Sequence, residues 1–441
     1  MTIRTSITHI TTKLLRPLAA AAFCALIQPL SAAPGAEKAP VDPSDSVITA
    51  AEQPEIRISM LTAAPGSQIY QLEGHSALRI RRGDLDVAVN WGVFDFAAPN
   101  FVWRFCKGET DYEAWAFPTA IVLEDYRRQG RRVTEQALNL TPSQARMIYD
   151  LVGENLRPEN RVYRYNYVKD NCATRPLRII QRAMGDSLQL RYAPAAGETF
   201  RSEMSRYHAN YPWYQFGIDL ALGSGIDYPL TPAERDFAPV HMMQTLAQAT
   251  STAPDGSTHP LVSATDILVD GPGQGMALAP TPRALSPVAV SLYLLVITVV
   301  ISIRDMRRGR LSRWFDSTLF GVFFLLGLAQ TFLIFVSTHE ATSPNWTYLW
   351  LNPLCLIPAV GVWIKSCRSV VYCYQICNFV VLLALLASPV LFGQRLNAAF
   401  PMLIAADMVR SAVFILLYRK ELRKKSQSGA TPAENKATRK R

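Results

Sequence analysis

Hydrophobic and polar positions are arranged in two different ways along this chain, and the change falls near residue 286. Upstream, apolar residues alternate or recur at helical spacing; downstream they run almost unbroken. Alternating runs at 55–61 (EIRISML), 75–82 (HSALRIRR) and 86–94 (DVAVNWGVF) predict three strands, because alternate side chains of a strand fall on opposite faces. Gly83-Asp84 between the second and third predicts a tight hairpin. Thr141-Pro142, followed by Ala145, Ile148, Tyr149 and Val152, predicts a capped helix ending before Pro158. A second helix is predicted where Asp170-Asn171-Cys172-Ala173-Thr174 leads into Leu177, Ile179, Ile180 and Met184. Pro176 is awkward for a helix starting at Cys172 and less so for one whose regular part begins at Thr174; in either case Cys172 lies at or just ahead of the helix N-terminus. Together these elements predict an α+β domain over 54–248, a small antiparallel sheet packed on helices. The Pro/Gly/Ser/Thr-rich stretch 249–285 reads as a linker or juxtamembrane segment.

Five apolar stretches follow, at 286–303, 318–337, 347–364, 370–391 and 398–418. Each is near the ~20 residues a helix needs to cross ~30 Å of hydrocarbon. The expectation is a five-helix transmembrane bundle over 286–418, with a basic tail at 419–441. At the other end, Arg4, Lys13 and Arg16 precede an apolar run from Pro17 to Ile27, and Ser31, Ala32 and Ala33 follow. That is the pattern of a signal peptide over 1–33.

Charge changes the picture only when it is divided by position. The 45 Lys and Arg residues against 35 Asp and Glu give a net charge of +10, which by itself suggests nucleic acid. Residues 34–285 are acidic by five charges, however, and residues 286–441 basic by twelve. The excess lies between and after apolar segments rather than on a folded face, which argues against nucleic acid. Arg304, Arg307, Arg308, Arg310 and Arg313 fill the first connection, Lys365 and Arg368 the third, and nine basic residues the tail. The second connection, 338–346, has no Lys or Arg, and the fourth has only Arg395. This alternation predicts a cytoplasmic C-terminus and an extracytoplasmic 54–248 domain.

Beyond the signal, the exported part contains Cys106 and Cys172, and His75, His208, His241 and His259. No HExxH, CxxC or clustered His/Asp spacing is present, so no metal or cofactor is expected. A thiol at a helix start lies near free backbone N–H groups and the positive end of the dipole, which favours thiolate. Cys172 has that position, with Lys169 and Arg175 nearby. It also fits a buried apolar role or a disulfide to Cys106. In a hairpin turning at Gly83-Asp84, residue 75 falls opposite residue 92, so Asn90 shares a sheet face with His75. A Cys–His–Asn arrangement needs such a neighbour to orient the ring. Asp95 is the alternative for that role, and Asn171 is a candidate for shaping the site or an oxyanion pocket.

These residues carry a resemblance. Gly74-His75-Ser76-Ala77-Leu78-Arg79, Asn90-Trp91-Gly92-Val93-Phe94-Asp95-Phe96, Pro99-Asn100-Phe101 and Asp170-Asn171-Cys172-Ala173-Thr174-Arg175 resemble the Lnb N-terminal periplasmic domain family. Pro158-Glu159-Asn160-Arg161, Tyr165-Asn166 and Gly217-Ile218-Asp219-Leu220 add to the likeness, as do Asn345-Trp346 and Asn352-Pro353 in the apolar region. The resemblance implies a circularly permuted papain-like ectodomain followed by a five-helix membrane module in the bacterial inner membrane. It also implies a reaction, in which an acyl chain moves from a lipoprotein's diacylglyceryl group to the α-amine of its N-terminal cysteine. Cys172 would be the nucleophile and His75 the base. The implied partners are diacylated lipoproteins and membrane lipid. Two other functions stand beside it: a cysteine peptidase or amidase on cell-envelope peptides, using the same dyad with water as acceptor, and a non-catalytic binder of an envelope ligand. Within the fifth apolar stretch, Asp407 and Arg410 lie three residues apart on one helix face. They read as an ion pair locking helix packing or as a polar wall for a lipid headgroup.

Overall fold

The computed structural model describes residues 54–430, apart from Phe96, Pro254 and 272–279. The signal peptide expected over 1–33 and residues 431–441 of the basic tail lie outside the described residues. The described residues divide into two compact units, one of residues 54–210 together with 228–280, the other of 211–227 together with 281–430.

The first unit is built on an antiparallel sheet of seven strands. They are β1 (Arg57–Ala63), β2 (His75–Arg82), β3 (Leu85–Val93), β4 (Asp111–Pro118), β5 (Val133–Leu138), β6 (Val162–Arg164) and an edge strand (Val262–Val269). Their spatial order is edge strand, β5, β1, β2, β3, β4, β6. Strands β2 and β3 pair with Ala77 opposite Asn90 and turn at Gly83, whose φ is 56°. Helices cover both faces, which is why β1 is buried continuously from Ile58 to Ala63 rather than at alternate positions. On one face, Ile58, Met60, Leu78, Ile80, Val89 and Trp91 pack against α-helical residues Ile148, Val152, Leu177, Ile180, Met242 and Leu246. On the other, Leu61, Ala63, Ala77, Ala88, Val133 and Val269 meet Val122, Leu123 and Tyr126. Arg79 ties strands together on this second face, reaching Asp86 at 2.5 Å and Glu135 at 3.1 Å.

Two expected boundaries change. The stretch 249–285 is not a linker throughout, because Val262–Val269 pairs with β5 and forms one edge of the sheet. The β-branched residues in this run outweigh the Pro/Gly/Ser/Thr composition around it. The expected 54–248 domain is also interrupted, since residues 211–227 belong to the second unit.

In the second unit, among the described residues, four helices are long and apolar enough to cross a membrane: Pro287–Arg308, Arg313–Phe335, Lys365–Leu386 and Phe400–Gln427. The third apolar stretch, 347–364, forms no continuous helix. It is a series of short turns, Trp346–Leu349, Pro353–Cys355 and the brief helix Leu356–Gly361. Pro353 removes an amide donor, and the Asn352 side chain makes good part of the loss by accepting from Leu354 N (3.0 Å) and donating to Tyr348 O (3.1 Å). The broken segment still runs the length of the Arg313–Phe335 helix in the opposite sense. Tyr348 lies 3.2 Å from Thr331 near that helix's end, and Trp363 donates to Ser317 at 2.7 Å near its start. Gly327 permits the close approach, because a Cβ there would lie 2.6 Å from the Asn352 backbone.

Asp407 and Arg410 do not pair with each other. Asp407 accepts from Asn378 at 2.8 Å. Arg410 instead bridges two other helices, to Asp316 at 2.6 Å and Asp305 at 2.9 Å, with Ser302 at 3.0 Å. A long guanidinium fork in the middle of a bundle reaches neighbouring helices more readily than a shorter carboxylate on its own.

Candidate active site

His75 opens β2 and Asn90 lies on β3, so the hairpin sets their relation. Continuing the register from Ala77–Asn90 places His75 opposite Gly92, and Asn90 on the same face. The ring Nε2 lies 3.0 Å from Asn90 Oδ1. Asn90 Nδ2 donates to Ala88 O at 3.0 Å, which leaves Oδ1 as the acceptor and puts a proton on Nε2. Nδ1 is then the nitrogen available to the sulfur.

Cys172 is buried and lies two residues ahead of the helix Thr174–Met184. Its placement is fixed by Asn171, whose Oδ1 accepts from Ala173 N (2.9 Å) and Thr174 N (3.0 Å). The Asn171 amide nitrogen donates to Tyr167 O and Phe237 O, both at 2.8 Å. Asn171 therefore shapes the backbone around the thiol, with its hydrogen-bonding groups fully committed. From the strand side, Ser76 Oγ donates to Cys172 O at 2.7 Å.

His75 and Cys172 hydrogen-bond through their side chains, and each shifts the other. Burial alone would push the thiol upward; the facing imidazolium, the hydrogen bond to it and the Ser76 amide outweigh that and bring Cys172 below its ordinary value. Burial would likewise push His75 down. The thiolate, its hydrogen bond and the bond to Asn90 prevail and raise it. The arrangement favours a thiolate–imidazolium pair, a nucleophile with a proton donor beside it. Cys172 is a free thiol, so the Cys106 disulfide is not formed.

Two other expected contributors stand elsewhere. Asp95 is exposed and accepts from Ala97 N at 2.8 Å, capping a turn rather than orienting the ring. Arg175 is held by Asp170 at 2.7 Å and stacks over Tyr163, so its charge is met before it reaches the sulfur.

Tyr165 is the residue that strand and helix patterns did not single out. Its hydroxyl lies 4.0 Å from Cys172 Sγ and takes a hydrogen bond from the Cys172 amide. Burial and the nearby thiolate push its own pKa well up, so it stays a neutral donor. Gly92 makes room for it: φ is +93°, and a Cβ would meet the Tyr165 ring at 2.9 Å. The only sequence signal was its place in the Tyr165-Asn166 pair of the resemblance. Among the described residues no group of His, Cys, Asp and Glu could hold a metal ion.

Two family models match the chain, the Lnb N-terminal periplasmic domain over residues 46–205 and the Lnb transmembrane domain over 280–421. Together they cover more than half of the 441 residues. No curated protein and no solved structure matches it. His75, Asn90, Tyr165 and Cys172 all lie within the first match, and the four long apolar helices fall within or largely within the second. By this order of periplasmic domain and membrane module, the chain belongs to the Lnb family.

Proposed function

We propose that the protein is a membrane-anchored thiol acyltransferase that moves an acyl chain from a lipoprotein's diacylglyceryl group to the α-amine of the same lipoprotein's N-terminal cysteine. The observation that carries this reading is the hydrogen-bonded series Asn90–His75–Cys172 in a chain of Lnb architecture. The Cys172 thiolate attacks the ester carbonyl carbon, and the oxyanion that forms meets the Tyr165 hydroxyl and the Ser76 amide, both already directed at the sulfur. His75 gives its Nδ1 proton to the departing glycerol oxygen, leaving an acyl thioester. The α-amine then attacks that thioester, His75 takes the amine proton, and collapse of the adduct expels the thiolate. Donor and acceptor belong to one tethered molecule, which supplies the effective concentration the second step needs.

The chain order His75, Asn90, Cys172, with the thiol at the head of a helix packed on an antiparallel sheet, supports a circularly permuted papain-like fold. In the membrane module, the length-spanning broken segment supports five crossings, four by helices and one by the turns of 346–364. With the alternation of basic connections, this supports an inner-membrane protein whose catalytic domain is extracytoplasmic and whose C-terminus is cytoplasmic.

The test is mass spectrometry of lipoprotein N-termini from cells with the protein, without it, and with Cys172→Ser. N-acylated monoacylglyceryl cysteine is expected only with the wild type. Lipoproteins identical in all three would refute acyl transfer and favour a peptidase or amidase using water as acceptor.

A further inference from the structure

The catalytic sulfur stands at one end of a run of aromatic rings. Tyr165 stacks on Tyr112 at 4.6 Å between centroids, Tyr112 meets Phe94 at 5.1 Å, Phe94 stacks on Phe101 at 5.6 Å, and Phe101 on Phe105 at 6.0 Å. The run ends on the short helix Phe101–Lys107, which has no buried residue. Val102, Trp103 and Phe105 there are 47%, 38% and 39% exposed. Apolar side chains gathered at one exposed place signal an apolar ligand or interface.

Charge on this helix does not point to an ionic partner. Arg104 is engaged by Asp111 at 2.7 Å, and Lys107 by Glu109. Burial pushes the Tyr112 hydroxyl up to about 12, so that ring stays neutral. A neutral, aromatic path that starts at a nucleophilic sulfur and finishes on exposed apolar side chains suits a long hydrocarbon chain bonded to the atom the sulfur attacks.

We propose that the ring run Tyr165–Tyr112–Phe94–Phe101–Phe105 is the binding track for the donor's acyl chain, with the helix Phe101–Lys107 holding its distal end. This rests on the acyl-transfer reading and names the part of the substrate the site measures. The carbonyl carbon lies at Cys172 and the hydrocarbon tail runs outward over the rings, so chain length is sensed at Phe101 and Phe105.

Two measurements on the full-length protein in phosphatidylglycerol/phosphatidylethanolamine vesicles test it. A diacylglyceryl lipopeptide with a diazirine at the end of its acyl chains is photolysed and the adducts are mapped by peptide mass spectrometry. The label is expected on the peptide that contains residues 101–107; label confined to other segments overturns the track. Separately, Trp103→Glu and Phe105→Glu are assayed with hexadecanoyl and octanoyl lipopeptides. The ratio of long-chain to short-chain turnover should fall at least about tenfold, the equivalent of roughly two methylenes leaving apolar contact. An unchanged ratio overturns the proposal even where total turnover drops. Label on 101–107 with no N-acylated product from the wild type would instead refute acyl transfer while leaving the acyl-chain site standing.

Discussion

Asn90 Oδ1 faces His75 Nε2 at 3.0 Å, while the Asn90 amide nitrogen is spent on Ala88 O. This pair selects the ring tautomer and holds Nδ1 toward Cys172. Asn90→Ala should therefore lower turnover by about ten- to a hundredfold, less than the ~10²–10⁴ of a general base itself. It also removes one of the bonds that raise His75, so the alkaline limb of the rate profile should move to lower pH. A profile shifted only in height would show that Asn90 does not act through the ring.

The thiol's state should be readable directly. Its depression below the ordinary value depends on His75, because burial acts in the opposite direction. In the wild type, alkylation of Cys172 by iodoacetamide should persist at pH values where an ordinary thiol is protonated. In His75→Ala burial is opposed only by the Ser76 amide and the Tyr165 hydroxyl, so the inflection of the alkylation rate should move to higher pH. The two groups titrate as a pair, and the shift belongs to the pair's acid limb. An unmoved inflection in His75→Ala would rule out the ion-pair description.

Tyr165→Phe removes the hydroxyl near the sulfur and leaves the stacked ring, so it should cost about tenfold or more in turnover with little change in folding. Gly92→Ala forces a side chain into positive φ and against that same ring. If both act through the Tyr165 hydroxyl, the double variant should lose less than the two single losses multiplied. Fully multiplicative losses would separate the two residues.

Arg410 lies fully buried between Asp305 and Asp316. Arg410→Met should destabilise the membrane unit by about 3–5 kcal/mol, since it leaves buried carboxylates without their counter-charge. Adding Asp305→Asn and Asp316→Asn should recover much of that loss. Thermal unfolding in detergent is the measurement, and a triple variant as unstable as Arg410→Met would argue against charge as the cause.

Reporters fused after Arg310, His339, Lys365 and Gly393 should read cytoplasmic, extracytoplasmic, cytoplasmic and extracytoplasmic. The Lys365 fusion is decisive. An extracytoplasmic signal there would mean that the turns of 346–364 dip into the membrane and return without crossing.

The hairpin and the helices Pro142–Leu156 and Thr174–Met184 were legible because their signals are local. A turn dipeptide sets the register that puts His75 and Asn90 on one face, and a cap with a proline sets the helix Pro142–Leu156. The strands Asp111–Pro118 and Val133–Leu138 were not read, since both lie in a sheet with helices on each side and show no clean alternation. Tyr165 was missed for a related reason: it reaches the sulfur from the end of the short strand Val162–Arg164, in company with Gly92, a pairing that no spacing rule encodes. Likewise Asp407 and Arg410 were read along one helix, whereas their partners stand on three others.

Residues 211–227 leave the first unit's sequence midway and pack within the second, where Phe216 meets Phe400 at 5.2 Å and both Gln330 and Asn345 donate to Leu220 O at 3.0 Å. During synthesis this segment emerges before any of those partners has been made. It must wait, the Leu220 carbonyl for donors 110 and 125 residues further on and Phe216 for Phe400 about 180 residues further on. The order of manufacture thus runs against the order of assembly, and a fragment released after residue 280 would leave that surface permanently bare. Excising the exported half for study therefore calls for cutting out this insert as well, or for replacing its apolar face.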